Sequence, residues 1–99
     1  MSEARGKAGG TSEAEGIARE LEDFVRERFL VPDDDPLFSR EVNLWDEGYV
    51  DSPGVVEVLA WLEERYALTL PEDVVFRPEF TSIRGMAETL AALLAGDGR

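Results

Sequence analysis

Asp51-Ser52 stands between the acidic turn Asp46-Glu47-Gly48-Tyr49-Val50 and an amphipathic run from Val55 to Tyr66. A serine there marks the point where a helix begins, with its hydroxyl exposed at the helix mouth. Free backbone N–H groups and the positive end of the macrodipole favour a phosphate esterified at such a position. Ser52 is therefore a candidate attachment point for a phosphate-linked group. Little else in the chain offers chemistry, because it has neither cysteine nor histidine. That removes disulfides, thiolate nucleophiles, the usual zinc sites and the commonest general base. Carboxylates remain, but a domain this small has little room for a deep cleft to retune their pKa values, so independent catalysis is not expected. The triplet Asp33-Asp34-Asp35 does not make a calcium loop. Counting from Asp33, the sixth position is Phe38 where glycine is needed and the twelfth is Leu44 where glutamate is needed.

The elements that position Ser52 follow from hydrophobic spacing. A length of 99 residues with 43% apolar content supports one small domain with a single core. Residues 1–12 are small, polar and glycine-rich and are expected to form a disordered tail; the folded domain is expected over residues 13–96. Ser12 and Glu15 have capping-box spacing, and Ile17, Leu21, Phe24, Val25 and Phe29 recur at helical intervals, predicting a helix from about Glu13 to Leu30 that Pro32 and Pro36 end. A long connection follows, anchored by Leu37, Phe38, Val42, Leu44 and Trp45.

The second helix is predicted from Pro53, at the first helical position, to Tyr66. Val55, Val58, Leu59, Leu62 and Tyr66 form its core face, with Gly54, Glu57, Trp61 and Glu64 on the far side. A short turn of helix after Pro71 and a last helix capped by Thr81 or Ser82 complete the chain. Ile83, Met86, Ala87, Leu90, Leu93 and Leu94 point inward on that helix, and Gly96 stops it. The predicted fold is all-α: a small bundle of three main helices plus one short helix, with a long loop between the first and second helices.

The net charge of −12 argues against nucleic acid as a partner. It is concentrated around Ser52, since Leu30 to Phe76 holds twelve of the 22 acidic residues but only Arg40 and Arg65 among the bases. Such a field suits basic partner proteins. No run approaches the ~20 apolar residues that span a bilayer, and the first residues lack the apolar stretch of a secretory signal. A soluble, cytoplasmic, monomeric protein without membrane contact is expected.

The order Leu44, Asp46, Gly48, Val50, Asp51, Ser52, then Val58, Leu59, Leu62, Glu63, Glu64 and Tyr66, then Leu70-Pro71-Glu72-Asp73 and a final helix, resembles the acyl and peptidyl carrier protein family. The likeness covers nearly the whole chain after the first dozen residues. It implies that a phosphopantetheinyl transferase moves 4'-phosphopantetheine from coenzyme A onto Ser52 and leaves a flexible arm ending in a thiol. Acyl or aminoacyl intermediates would ride on that arm as thioesters. A loading ligase or acyltransferase would supply them, and downstream biosynthetic enzymes with basic docking surfaces would receive them. The resemblance assigns transferase docking to Asp51 and partner contacts to Glu57 and Glu64.

Trp61 is either an exposed contact between those acids or a side chain tucked against the long loop, and Val56 is either a partner contact or core. Trp45 and Tyr49 either pin the loop or shelter a cargo chain. Pro53 departs from the bulky aliphatic residue that usually follows the serine, and Gly54 removes another side chain, which alters the partner surface. Arg65 interrupts the acidic row and either selects particular partners or pairs locally with Glu63 or Glu64. The alternative function is an unmodified acidic interaction module that keeps the carrier fold and holds a basic enzyme.

Overall fold

The structure, a computed structural model, describes the backbone of residues 2–95 and the side chains of residues 13–95. Helix α1 spans Ser2–Arg28, α2 Ser52–Tyr66, α3 Glu72–Val75 and α4 Ile83–Leu94, with a single 3₁₀ turn at Pro78–Thr81. No strand occurs among the described residues, and the fold is the expected all-α bundle with a long first loop. None of these helices is long and apolar enough to cross a membrane.

The α1 backbone begins ahead of the start expected near Glu13. The expected tail, residues 1–12, has no described side chains, and Met1 and Gly96 lie outside the described residues. Glu15, expected in a capping box, instead reaches Arg40 and Arg84. The helix also ends earlier than the prolines require. Leu30 adopts φ +56°, and the Val31 N–H donates to the Arg26 carbonyl at 3.0 Å, closing a Schellman turn before Pro32. Helix α2 ends the same way, with Ala67 at φ +54° and the Leu68 N–H on the Glu63 carbonyl.

α1 packs along α4, and the fully buried side chains come from every part of the chain: Leu21 and Val25 of α1, Leu44 of the loop, Val58 and Leu62 of α2, Phe80, and Ile83, Met86 and Leu90 of α4. Truncating any one of the larger of these to alanine removes about 2–5 kcal/mol. Ser82 caps α4, its Oγ accepting from the Gly85 N–H at 3.0 Å. Gly85 is obligatory, because a Cβ there would meet the Glu79 carbonyl oxygen at 1.6 Å where the 3₁₀ turn crosses the helix. Leu94, expected inward, ends the helix 41% exposed.

The connection between α1 and α2 is built as a folded element. Val31, Phe38, Leu44 and Val50 are buried in it, whereas Leu37, expected as an anchor, is 69% exposed. Its N–H donates instead to Asp35 Oδ1, in a local turn that faces Leu37 outward. Leu44 donates to the Thr81 carbonyl and accepts from Tyr49 and Val50, so one residue joins the loop to the last corner and closes its own turn. Tyr49 donates its hydroxyl to Asp35 and sets its ring against Phe38.

Arg40 crosses to α1, where it binds Glu22 at 2.9 Å and Glu15. The Arg40 guanidinium holds the Glu15 carboxyl below its ordinary value. Burial pushes Glu22 up, but hydrogen bonds from Arg26 and Arg40 outweigh it and hold that carboxyl low as well.

Candidate functional site

Asp51, not Ser52, caps α2. Its backbone is extended at φ −92°, and its Oδ1 accepts the Gly54 N–H at 2.9 Å while its carbonyl accepts from Val55. Ser52 is the first helical residue and Pro53 the second, one step later in the helix than the sequence pattern predicted. Proline has no N–H to leave unpaired, which suits it to this first turn as well as it would the first position. Because Asp51 takes the capping role, the Ser52 hydroxyl is exposed and makes no hydrogen bond among the described residues.

Ser52 lies on the rim of an apolar groove of about 360 Å³ between α2 and the α3 corner. Trp45, Val55, Leu59, Val75, Phe76 and Phe80 line it. Trp45 is half-buried there, held by the Asn43 side chain, which accepts the backbone N–H groups of Trp45 and Asp46. Phe76 is 79% exposed and extends the apolar wall to the surface. The Ser52 oxygen can accept a covalent group but hydrogen-bonds to no base among the described residues, and the carboxylate of its neighbour Asp51 is occupied with the cap.

The five residues assigned to partner contact divide. Val56 is 65% exposed and Glu64 is exposed, with no ion pair among the described residues. The other three are engaged within the molecule. Asp51 caps the helix, and Glu57 forms a two-point pair with Arg28 of α1, at 2.5 and 2.7 Å. Trp61 is half-buried and does not project freely. The contacts that hold its indole are with Phe24 of α1, stacked at 4.7 Å and 14°, and with Tyr66, edge-on at 6.1 Å.

Three of the four positions read from the helical wheel as the far side of α2, Gly54, Glu57 and Trp61, thus meet α1, whereas Glu64 stays exposed. Gly54 belongs to the same buried contact: it faces Phe29, so its missing side chain serves packing within the bundle. Arg65 reaches Glu20 of α1 at 2.9 Å, not Glu63 or Glu64, and the Tyr66 hydroxyl donates to the same Glu20. That hydrogen bond, followed by the charge of Arg65, lowers the Glu20 carboxyl despite partial burial. Burial first, and then the bond to Glu20, raises the Tyr66 hydroxyl. Glu63 accepts the Leu70 N–H and so closes the turn after α2.

Phe29, Phe76 and Phe24 were not singled out as site residues. Phe76 carried a usable signal, an aromatic between a short helix and a proline corner; Phe24 and Phe29 read only as core. No family model matches the chain, and comparison with the curated proteins and with the solved structures finds no match.

Proposed function

We propose that the protein is a carrier: Ser52 bears a 4'-phosphopantetheine arm, on which acyl or aminoacyl groups are held and presented to the enzymes of a biosynthetic pathway. The observation that carries this reading is the hydroxyl of Ser52, exposed and without a partner at the first residue of a capped helix, on the rim of an apolar groove. The residue order from Leu44 to Tyr66 supports it further. The site fits the group, since Ser52 Oγ has open approach and Trp45, Val55, Leu59 and Phe76 offer apolar surface beside it.

In the attachment step, Ser52 Oγ forms a bond to the phosphorus of the pantetheine phosphate in coenzyme A. The bond from that phosphorus to the nucleotide oxygen breaks, and the electron pair leaves with the nucleotide. The proton of Ser52 passes to a base of the transferase, because this chain has no histidine or cysteine to take it. Asp51 holds the first turn in place during the step. The bound arm supplies a thiol for thioester linkage; the chain itself supplies the anchor, the groove and the acidic surface. Partners with basic docking surfaces, among them the transferase and a loading ligase or acyltransferase, meet α2 over Val56, one turn beyond Ser52, and Glu64, about 18 Å along the helix from Ser52.

Intact mass recorded after incubation with coenzyme A and a broad-specificity transferase tests the proposal. Wild type gains one phosphopantetheine and Ser52→Ala gains none. An unchanged wild-type mass, under conditions that fully modify a control carrier, rejects it in favour of the unmodified interaction module.

A further inference from the structure

The end of α1 meets the beginning of α2 at an unusually close contact. A Cβ built on Gly54 would lie 2.6 Å from Phe29 Cε1, 3.0 Å from Phe29 Cζ and 2.9 Å from Asp51 Oδ1. The Phe29 ring therefore fills the space that any side chain at position 54 would take. The ring is itself held from two directions: Phe24 lies edge-on at 6.4 Å, and the Arg28 guanidinium lies 5.5 Å from its centroid while gripping Glu57. The backbone that carries it is fixed too, by the bond from the Phe29 N–H to the Val25 carbonyl and by the Schellman turn at Leu30. On the other side of the contact, the Gly54 N–H is the donor that seats the Asp51 cap, and Ser52 lies between those two residues in the chain.

We propose that Phe29 is a positioning residue for Ser52. Its ring, wedged against Gly54, sets the depth of the first turn of α2 against α1, and through the Asp51 cap it sets the direction in which Ser52 Oγ points. This rests on the reading of Ser52 as the acceptor of the arm. The wedge acts on orientation and touches neither Val56 nor Glu64, so its loss lowers kcat of arm transfer and leaves KM for the protein in place. A misplacement of about 1 Å can cost about a hundredfold in rate, and a smaller shift of Ser52 Oγ is expected to cost about tenfold.

The test is a double-mutant cycle on the full chain, with Phe29→Ala, Gly54→Ala and both together. The readouts are kcat and KM for transfer from coenzyme A, thermal unfolding, and amide exchange at Gly54 in the unmodified protein. Each single variant is expected to lose about tenfold in kcat with KM unchanged. The double variant is expected to be faster than Gly54→Ala alone, because the missing ring makes room for the new methyl group. Phe29→Leu, which keeps apolar bulk, serves if Phe29→Ala does not fold; it is expected to lower kcat less and to speed Gly54 amide exchange. Losses that simply multiply in the double variant, or that appear in KM alone, overturn the proposal. So does unchanged Gly54 exchange without the ring. A wild-type chain that takes up no arm rejects the proposed function instead, and Gly54 exchange then decides the wedge by itself.

Discussion

Two sets of positions on α2 carry similar residues and do opposite work. On the flank facing α1, Gly54 receives Phe29, Glu57 grips Arg28 and Trp61 stacks on Phe24. Elsewhere on α2, Ser52, Val56, Ala60 and Glu64 are exposed with no such partners among the described residues. Glu57 and Glu64 lie on almost the same stripe a little under two turns apart, yet one pairs with Arg28 and the other stays a free charge. A helical wheel drawn for α2 alone therefore does not say which of its outward acids and aromatics stay open. Contacts from α1 reach Gly54, Glu57 and Trp61, three positions that the wheel assigns to solvent.

The sharpest way to break this comparison is Trp61→Ala. Loss of the stacked, half-buried indole is expected to cost about 2–3 kcal/mol of stability in denaturant unfolding, below the full cost of a deeply buried tryptophan. If unfolding is unchanged while partner binding collapses, Trp61 belongs to the docking side after all.

Tyr66→Phe probes the far end of the clasped flank through its bond to Glu20. A carboxyl whose folded-state pKa is depressed contributes stability that is present above its unfolded value, near 4.5, and is lost as pH falls through the folded one. The variant is expected to lose about 1 kcal/mol at neutral pH, discounted for the exposure of Glu20. Much less should be lost at acid pH. A deficit that stays constant from neutral to acid pH would show that the hydroxyl does not bond to the carboxylate.

Val56→Ala and Glu64→Gln sharpen the other side. Each is expected to change stability by under about 0.5 kcal/mol, yet to weaken association with a basic partner, the Glu64 effect fading as salt is added. A change in unfolding comparable to that of Trp61→Ala would erase the distinction between the two sets.

The helices were legible because their apolar residues recur at helical spacing, and the last cap to within one residue, since Thr81 and Ser82 are both capping types and only the structure chooses Ser82. The core was legible for a related reason: Leu21, Val58, Leu62 and Leu90 fall on the inward stripes of their helices, whereas Phe80, in the corner before the last helix, carried no such spacing. Three features were not legible. The turns at Leu30 and Ala67 use left-handed conformations without glycine, so nothing in residue type announces where those helices stop. The loop is secured by long-range polar contacts, above all Arg40 to Glu15 and Glu22, which local patterning cannot report. The covering of Gly54, Glu57 and Trp61 depends on how α1 lies against α2, and periodicity within one helix holds no information about its neighbour. At the candidate site, Ser52 was singled out by its place before the amphipathic run and by the carrier-like residue order; the assignment of the cap to Asp51 needed the backbone register of the first turn.

The central claim is that the Ser52 oxygen is free to be esterified. Mass spectrometry of peptides from the transferase-treated full-length protein tests it most directly. The account predicts one phosphopantetheine per chain, placed on Ser52 and abolished by Ser52→Ala. An arm on another serine, or none on a folded chain beside a fully modified control, contradicts it.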